Sequence, residues 1–324
     1  MIWEVKLKGF EQIIGHNDIK AYLDRVIDKD CLSSTYIFSG SKGLGKTEIA
    51  KIFAQNLQDN FADTNNDLTI IDGSDGSIGI DEVREKLVNN INIKPMANKY
   101  KVYIIKQADR LTQQAQNAIL KSLEDAPEYV IIILVTSEER KLLPTIRSRA
   151  VTLKFVAPSL DEAVDYIVKE VGVDKECALM LAKLTSCNIG EAVRYSKLYQ
   201  NKDIWNKIVH VLRHINDMSV YEIISFVKNL SKEEISMFMN MLQCFYKDIL
   251  GYKISNDVNI IVLRDLREDV MKTVITSSYN SIYKAVDAIA KAVERIEANA
   301  GIDSVIEVLL FTIKEKNDGI SSRS

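Results

Sequence analysis

The chain has 324 residues and a mass of 36.7 kDa, too long for one ordinary domain, so two or three are expected. Hydrophobic residues make up 47% and charged residues 27%, and the net charge of -3 excludes the strongly basic surface that autonomous DNA binding needs, though not a local basic patch. No apolar run reaches the ~18 residues that span a bilayer. The N-terminus lacks a secretion-signal pattern. Cys31, Cys177, Cys187 and Cys244 are scattered without C-x-x-C spacing. Reduced thiols in the cytoplasm, with no membrane partner and no bound metal, are the expectation.

In chain order, "TYIFSG" (35–40) reads as a strand ending in glycine, and "KTEIAKIFAQNL" (46–57) as a helix with Ile49, Ile52, Phe53 and Leu57 on one face. "LTIIDG" (68–73) is a strand and "IDEVREKLVNNI" (80–91) a helix. "KVYII" (101–105) is a strand, and 112–126 a helix with Thr112 as N-cap. "YVIIILVTS" (129–137) and "AVTLKF" (150–155) are strands. Strands separated by helices point to a parallel sheet covered on both faces.

After Pro158 the strand pattern ends. Ser159 with Glu162 three residues on is a capping box that opens a helix over 159–172. Helices near 174–185 and 188–199 complete a small unit. From about 202 onward the pattern is helical, and Ile282, Val286, Ile289, Val293 and Ile296 form one stripe. The fold class is therefore α/β followed by all-α. The boundaries fall at 1–156, 157–201 and 202–318, with a polar, frayed tail at 319–324.

"GSKGLGKT" (40–47) fits G-x-x-x-x-G-K-[ST] at every fixed position, between a strand and a helix. In such a P-loop, Gly40, Ser41, Gly43, Leu44 and Gly45 turn backbone N–H groups toward phosphate oxygens. Lys46 reaches the β- and γ-phosphates, and the Thr47 hydroxyl is a magnesium ligand. The motif predicts ATP or ADP, held weakly or structurally; an empty loop is the alternative.

Hydrolysis needs more: an acid for the metal shell and a group that orients water. The end of the 101–105 strand, the Walker B position, holds Lys106 and Gln107 instead. A lysine there repels Mg²⁺, or else substitutes for part of its charge on a phosphate. Magnesium is not supported. Asp109 is either a displaced metal acid or a loop residue.

The block from "KVYIIKQADRLTQQAQNAILKSLEDAPE" through "LVTSEERKLLPTIRSR" resembles the clamp-loader subunits of bacterial DNA polymerase III, an AAA+ family. "FEQIIGHNDIKAYL" (10–23), "CNIGEAVRYSKL" (187–198) and "RIEANAGIDSVIEVLL" (295–310) extend the resemblance nearly end to end. It implies an AAA+ P-loop sheet domain, a small helical lid and a helical collar. Through the collar such a chain joins sister subunits of the gamma/tau and delta types. The assembly acts on the sliding clamp and on primer–template DNA. Ile14 lies in the segment that packs on adenine. Ser137 aligns with a sensor near the γ-phosphate, or is a plain strand-end serine. Arg149, of the Ser148–Arg149 pair, aligns with an arginine finger acting in trans, or closes a surface salt bridge. Ala150 stands where the family usually has cysteine. Gly190 fills the place of a second-sensor arginine, and Arg194 follows one turn later. The four-cysteine zinc module of many relatives is absent, because the linking segment "QDNFADTNND" is short and no cysteine lies between Cys31 and Cys177.

The resemblance thus implies a non-hydrolysing subunit. The alternatives are an active gamma/tau-like ATPase and a helicase-loader-like AAA+ protein. Exposed lysines such as Lys121 either touch DNA or line a solvated helix face.

Overall fold

The computed structural model describes residues 9–10, 13–58, 67–74, 76–297 and 300–321. Most of the polar linker at 58–67, Glu11 and Gln12 of the adenine-side segment, and the last three tail residues lie outside them.

Five strands form one parallel sheet: β1 (Thr35–Ser39), β2 (Leu68–Asp72), β3 (Lys101–Lys106), β4 (Val130–Thr136) and β5 (Val151–Lys154), in the order β2-β3-β4-β1-β5. The unbroken apolar runs follow from burial on both faces. Along β3, Val102 and Ile104 pack into one layer with Phe53 and Ile49, while Tyr103 and Ile105 pack into the other with Ile119 and Leu123. The first layer is covered by α1 (Asn17–Asp28) and α2 (Lys46–Asn56), the second by α3 (Ile80–Val83) and α4 (Gln113–Glu124). Each fully buried Ile or Leu contributes roughly 1.5–3 kcal/mol. Thr112 caps α4, its hydroxyl accepting the Ala115 amide.

The helix expected over 80–91 is shorter. After Val83 it continues as a π-helical turn, Arg84–Val88, and ends there. Val83, Leu87 and Ile91 are all buried, so the apolar spacing that suggested a longer helix is satisfied by a widened turn instead.

The chain falls into two compact units. The first is Met1–Ala163 with Asn188–Gly190; the second is Val164–Cys187 with Glu191–Ser324. Helices α5 (Pro144–Arg147), α6 (Leu160–Val171), α7 (Lys175–Leu184), α8 (Ile189–Gln200), α9 (Lys202–His214), α10 (Val220–Lys228), α11 (Lys232–Ser255), α12 (Arg267–Thr276), α13 (Tyr279–Glu297) and α14 (Ile302–Ser321) complete the order. Most of the stretch expected as a lid therefore groups with the collar stretch. The last helix runs past residue 318 into the expected tail, since one Gly319 costs only about 1 kcal/mol and does not stop a helix.

In the second unit α11 packs on α7, α9, α12 and α13. It starts from a capping box, Ser231 with Glu234, and α10 from another, Ser219 with Glu222. Its buried Asp248 accepts the amides of Val262 and Leu263, and burial pushes this carboxyl up to about 6. On α13 the buried seam is Ile282, Ala285, Ile289 and Ala292. Val286, Val293 and Ile296 of the expected stripe flank it, half-buried. Among the described residues no helix is long and apolar enough to cross a membrane.

Candidate functional site

The phosphate loop leaves β1 and enters α2. Gly40 and Gly43 have φ of 152° and 87°. A Cβ at Gly40 would overlap the Phe155 carbonyl oxygen, and one at Gly43 the Asn188 side chain, so only glycine fits either place. Leu44 anchors the loop in the core, Gly45 makes the left-handed entry to α2, and Ser41 is exposed.

Lys46 is 6% exposed and donates to the carbonyls of Gly40 and Ser41, each at 2.6 Å. Burial lowers its ammonium to about 8; the charges of Asp109 and Glu48 oppose that fall. The next three carbonyls are also held. Asn188 Nδ2 donates to Lys42 O at 2.5 Å, the Gly190 amide to Gly43 O at 3.1 Å, and His16 Nε2 to Leu44 O at 2.9 Å. Facing a carbonyl, His16 Nε2 carries the proton. Its ring lies 4.8 Å from that of Phe155, and burial keeps its pKa below the usual histidine value. Ile13 packs on the core beside Gly45, and Ile14 is half-buried.

The end of β3 has different chemistry. Lys106 is paired across the strands with Asp72, Nζ to Oδ2 at 2.7 Å, in register with it. The lysine holds the Asp72 carboxyl below its usual range. Gln107 takes a left-handed conformation, φ 50°, and turns the chain into the single turn Ala108–Arg110. That turn carries Asp109 to the end of β4. Asp109 Oδ1 accepts the buried Thr136 hydroxyl at 2.8 Å and the Ser137 amide at 3.0 Å. The strand-end turn does not lead away from the sheet; it braces the neighbouring strand and presents Ser137 at the surface.

The residues at this strand end do not fit a magnesium shell. The acid position is a lysine with a fixed partner, and Asp109 is hydrogen-bonded to β4. The phosphate loop does fit a polyphosphate: glycines where no Cβ can stand, a lysine of depressed basicity, and the Thr47 hydroxyl beside it. Among the described residues no group of three His, Cys, Asp or Glu could hold a metal ion.

Arg149 lies apart from these groups, just past α5. It pairs with Glu124 at the end of α4, Nη2 to Oε1 at 2.8 Å, and also donates to Thr145 O. Its side chain stays 39% exposed. Buried Gln116 fixes the preceding loop: it donates to Leu111 O and Lys141 O and accepts the Leu143 amide. Arg194 leans toward Glu191, and Lys121 is exposed. Sequence reading missed His16, Asp72 and Asn188. Each makes a long-range contact that no sequence pattern marks.

The model of the family described as DNA polymerase III, delta subunit, matches residues 15–159. The delta' subunit of DNA polymerase III from Bacillus subtilis is 26% identical over 312 residues, covering 89% of this chain and 93% of that one. A gamma/tau subunit from Mycoplasma genitalium is 30% identical over 267 residues, or 75% of this chain but 45% of its own length. The crystal structure of a gamma subunit-related protein from Thermotoga maritima shares the fold, with a TM-score of 0.53 at 23% identity over 92% of this chain and 99% of that one.

Proposed function

We propose that this chain is a clamp-loader subunit of bacterial DNA polymerase III, and a non-hydrolysing, delta'-type member of that family. One observation carries the reading: the strand end that would hold metal and orient water presents the Lys106–Asp72 pair instead. Phosphate binding and hydrolysis are then separate in this chain. The loop 40–47 takes ATP or ADP, with backbone amides and Lys46 neutralising the phosphates, and no metal ion is needed to complete the site.

Arg149 supplies the second half of the role. Its guanidinium is permanently charged, planar and partly exposed, and it already grips a carboxylate. On meeting a sister subunit it exchanges Glu124 for the γ-phosphate bound there, stabilising charge as the phosphoryl group transfers. Gln116 holds the loop that aims it. Partners are the gamma/tau- and delta-type subunits, joined through the helices after 202. Within that assembly the chain works in the cytoplasm on the sliding clamp and primer–template DNA.

Reconstitution with those sister subunits tests this. Arg149→Ala folds normally and lowers ATP turnover at the neighbouring site it completes about a hundredfold, the low end of the range for losing one transition-state donor. An unchanged rate removes Arg149 from the role. The second reading, a gamma/tau-like motor, is favoured by the complete phosphate loop; it requires the isolated chain to turn over ATP.

A further inference from the structure

Five consecutive carbonyls of the phosphate loop, from Gly40 to Leu44, each accept a hydrogen bond, the last three from residues outside the loop. Lys46 takes the first two. Asn188, Gly190 and His16 take the next three. With the carbonyls of Lys42, Gly43 and Leu44 tied to residues outside the loop, the amides of that stretch are left for an anion on the other side. Asn188 and Gly190 lie almost 150 positions along the chain from the loop, yet they belong to the same compact unit. Asn188 is 9% exposed. A Cβ on Gly190 would stand 2.8 Å from Gly43 O and 2.9 Å from Gly43 Cα, both backbone atoms with no side-chain freedom to yield. The fit at Gly190 is therefore reciprocal with the fit at Gly43, where a Cβ would strike Asn188.

We infer that residues 188–190, with His16, form a brace that holds the phosphate loop in its anion-binding shape before any ligand arrives, and that Asn188 is a positioning residue for the polyphosphate. The inference rests on the reading that the loop takes a nucleotide, and it adds the residues that prepare the loop. In a site without a metal acid, this preparation replaces an organising cation: the cost of ordering the loop is met during folding and not at binding. It also gives residue 190 a physical reason to be glycine that is independent of any sensor role. A larger side chain there displaces the loop.

The test uses the full chain with ADP as probe and two readouts, calorimetric affinity and amide hydrogen exchange across residues 40–47. Asn188→Ala weakens ADP binding about fivefold, the equivalent of one net hydrogen bond, and Gly190→Ala about tenfold. Asn188→Asp keeps the shape, loses the donor and sets a carboxylate against Lys42 O, so it weakens binding more than Asn188→Ala. In ligand-free protein, exchange of the loop amides speeds up by similar factors while exchange in β3 and β4 is unchanged. A purely structural role would instead lower protection across the whole sheet. Unchanged affinity together with unchanged loop exchange in both Asn188 variants overturns the brace. If the wild-type chain fails to bind ADP, the nucleotide reading falls, and the exchange data alone decide the brace by the same criterion.

Discussion

Two strand ends lie on one sheet, and they carry different chemistry. The loop after β1 retains every element that cradles a phosphate. The end of β3, two strands away in the same sheet, presents a lysine paired with Asp72. The body of β3 is ordinary core: Val102, Tyr103, Ile104 and Ile105 are fully buried and serve both core layers. The packing of a strand and the chemistry at its tip therefore rest on different residues. Phosphate binding and hydrolysis are separable in such a fold because the two rest on different atoms.

Substitutions along these two ends sharpen the contrast. Ile104→Ala has the largest effect on stability, about 3 kcal/mol in denaturant unfolding, because it opens a cavity in a closed layer. A loss under 1 kcal/mol would mean that β3 is less tightly packed than its burial indicates. At the other end, Lys46→Ala weakens ADP affinity about 100-fold, as expected for a charge-assisted contact to phosphate.

Lys46 also gives the phosphate loop a pH signature. Its folded pKa, about 8, lies below the ordinary lysine value. Between the two values the unfolded chain binds more protons than the folded one, so this group's contribution to stability rises with pH through that window. Below pH 8 the ammonium is fully charged in both states and the contribution stays at its minimum. ADP affinity moves the opposite way, falling above pH 8 as the free protein loses the charge. Lys46→Met removes both trends, and their persistence in that variant would assign them to other groups.

Asp109→Ala comes next. It leaves the buried Thr136 hydroxyl and the Ser137 amide without their acceptor and costs about 2 kcal/mol. ADP binding should be equally tight with magnesium and with a chelator, before and after this change. A magnesium requirement that vanished in Asp109→Ala would restore Asp109 as a metal acid. Lys106→Ala has the smallest effect. The pair with Asp72 is partly exposed, and its loss costs under about 1 kcal/mol. Because Lys106 depresses the Asp72 carboxyl, this contribution is present above the ordinary carboxylate pKa and fades as pH falls through the lower, folded value.

Sequence reading reached the sheet because each strand is a short apolar run between turn signals, and the observed strands agree with the expected ones within two residues at each end. It reached the phosphate loop because that motif is contiguous. Thr112 as a cap and the Ser159–Glu162 box, whose amide and carboxylate meet at 2.9 Å, were legible for the same reason. What sequence could not give is the partner of each charge. Lys106 is visibly out of place, but only strand register sets Asp72 beside it. Asn188 reads as an ordinary polar residue until folding lays it on Lys42. Arg149 shows the limit from the other side: within one chain it closes a salt bridge, and its proposed role needs a second chain.

A single-turnover experiment addresses the separation of binding from hydrolysis most directly. Purified chain in excess over ATP, with magnesium present, is quenched at intervals and its nucleotide analysed. The account predicts that ATP is bound and recovered intact over hours. ADP formed at a rate that disappears in Lys46→Ala would contradict it.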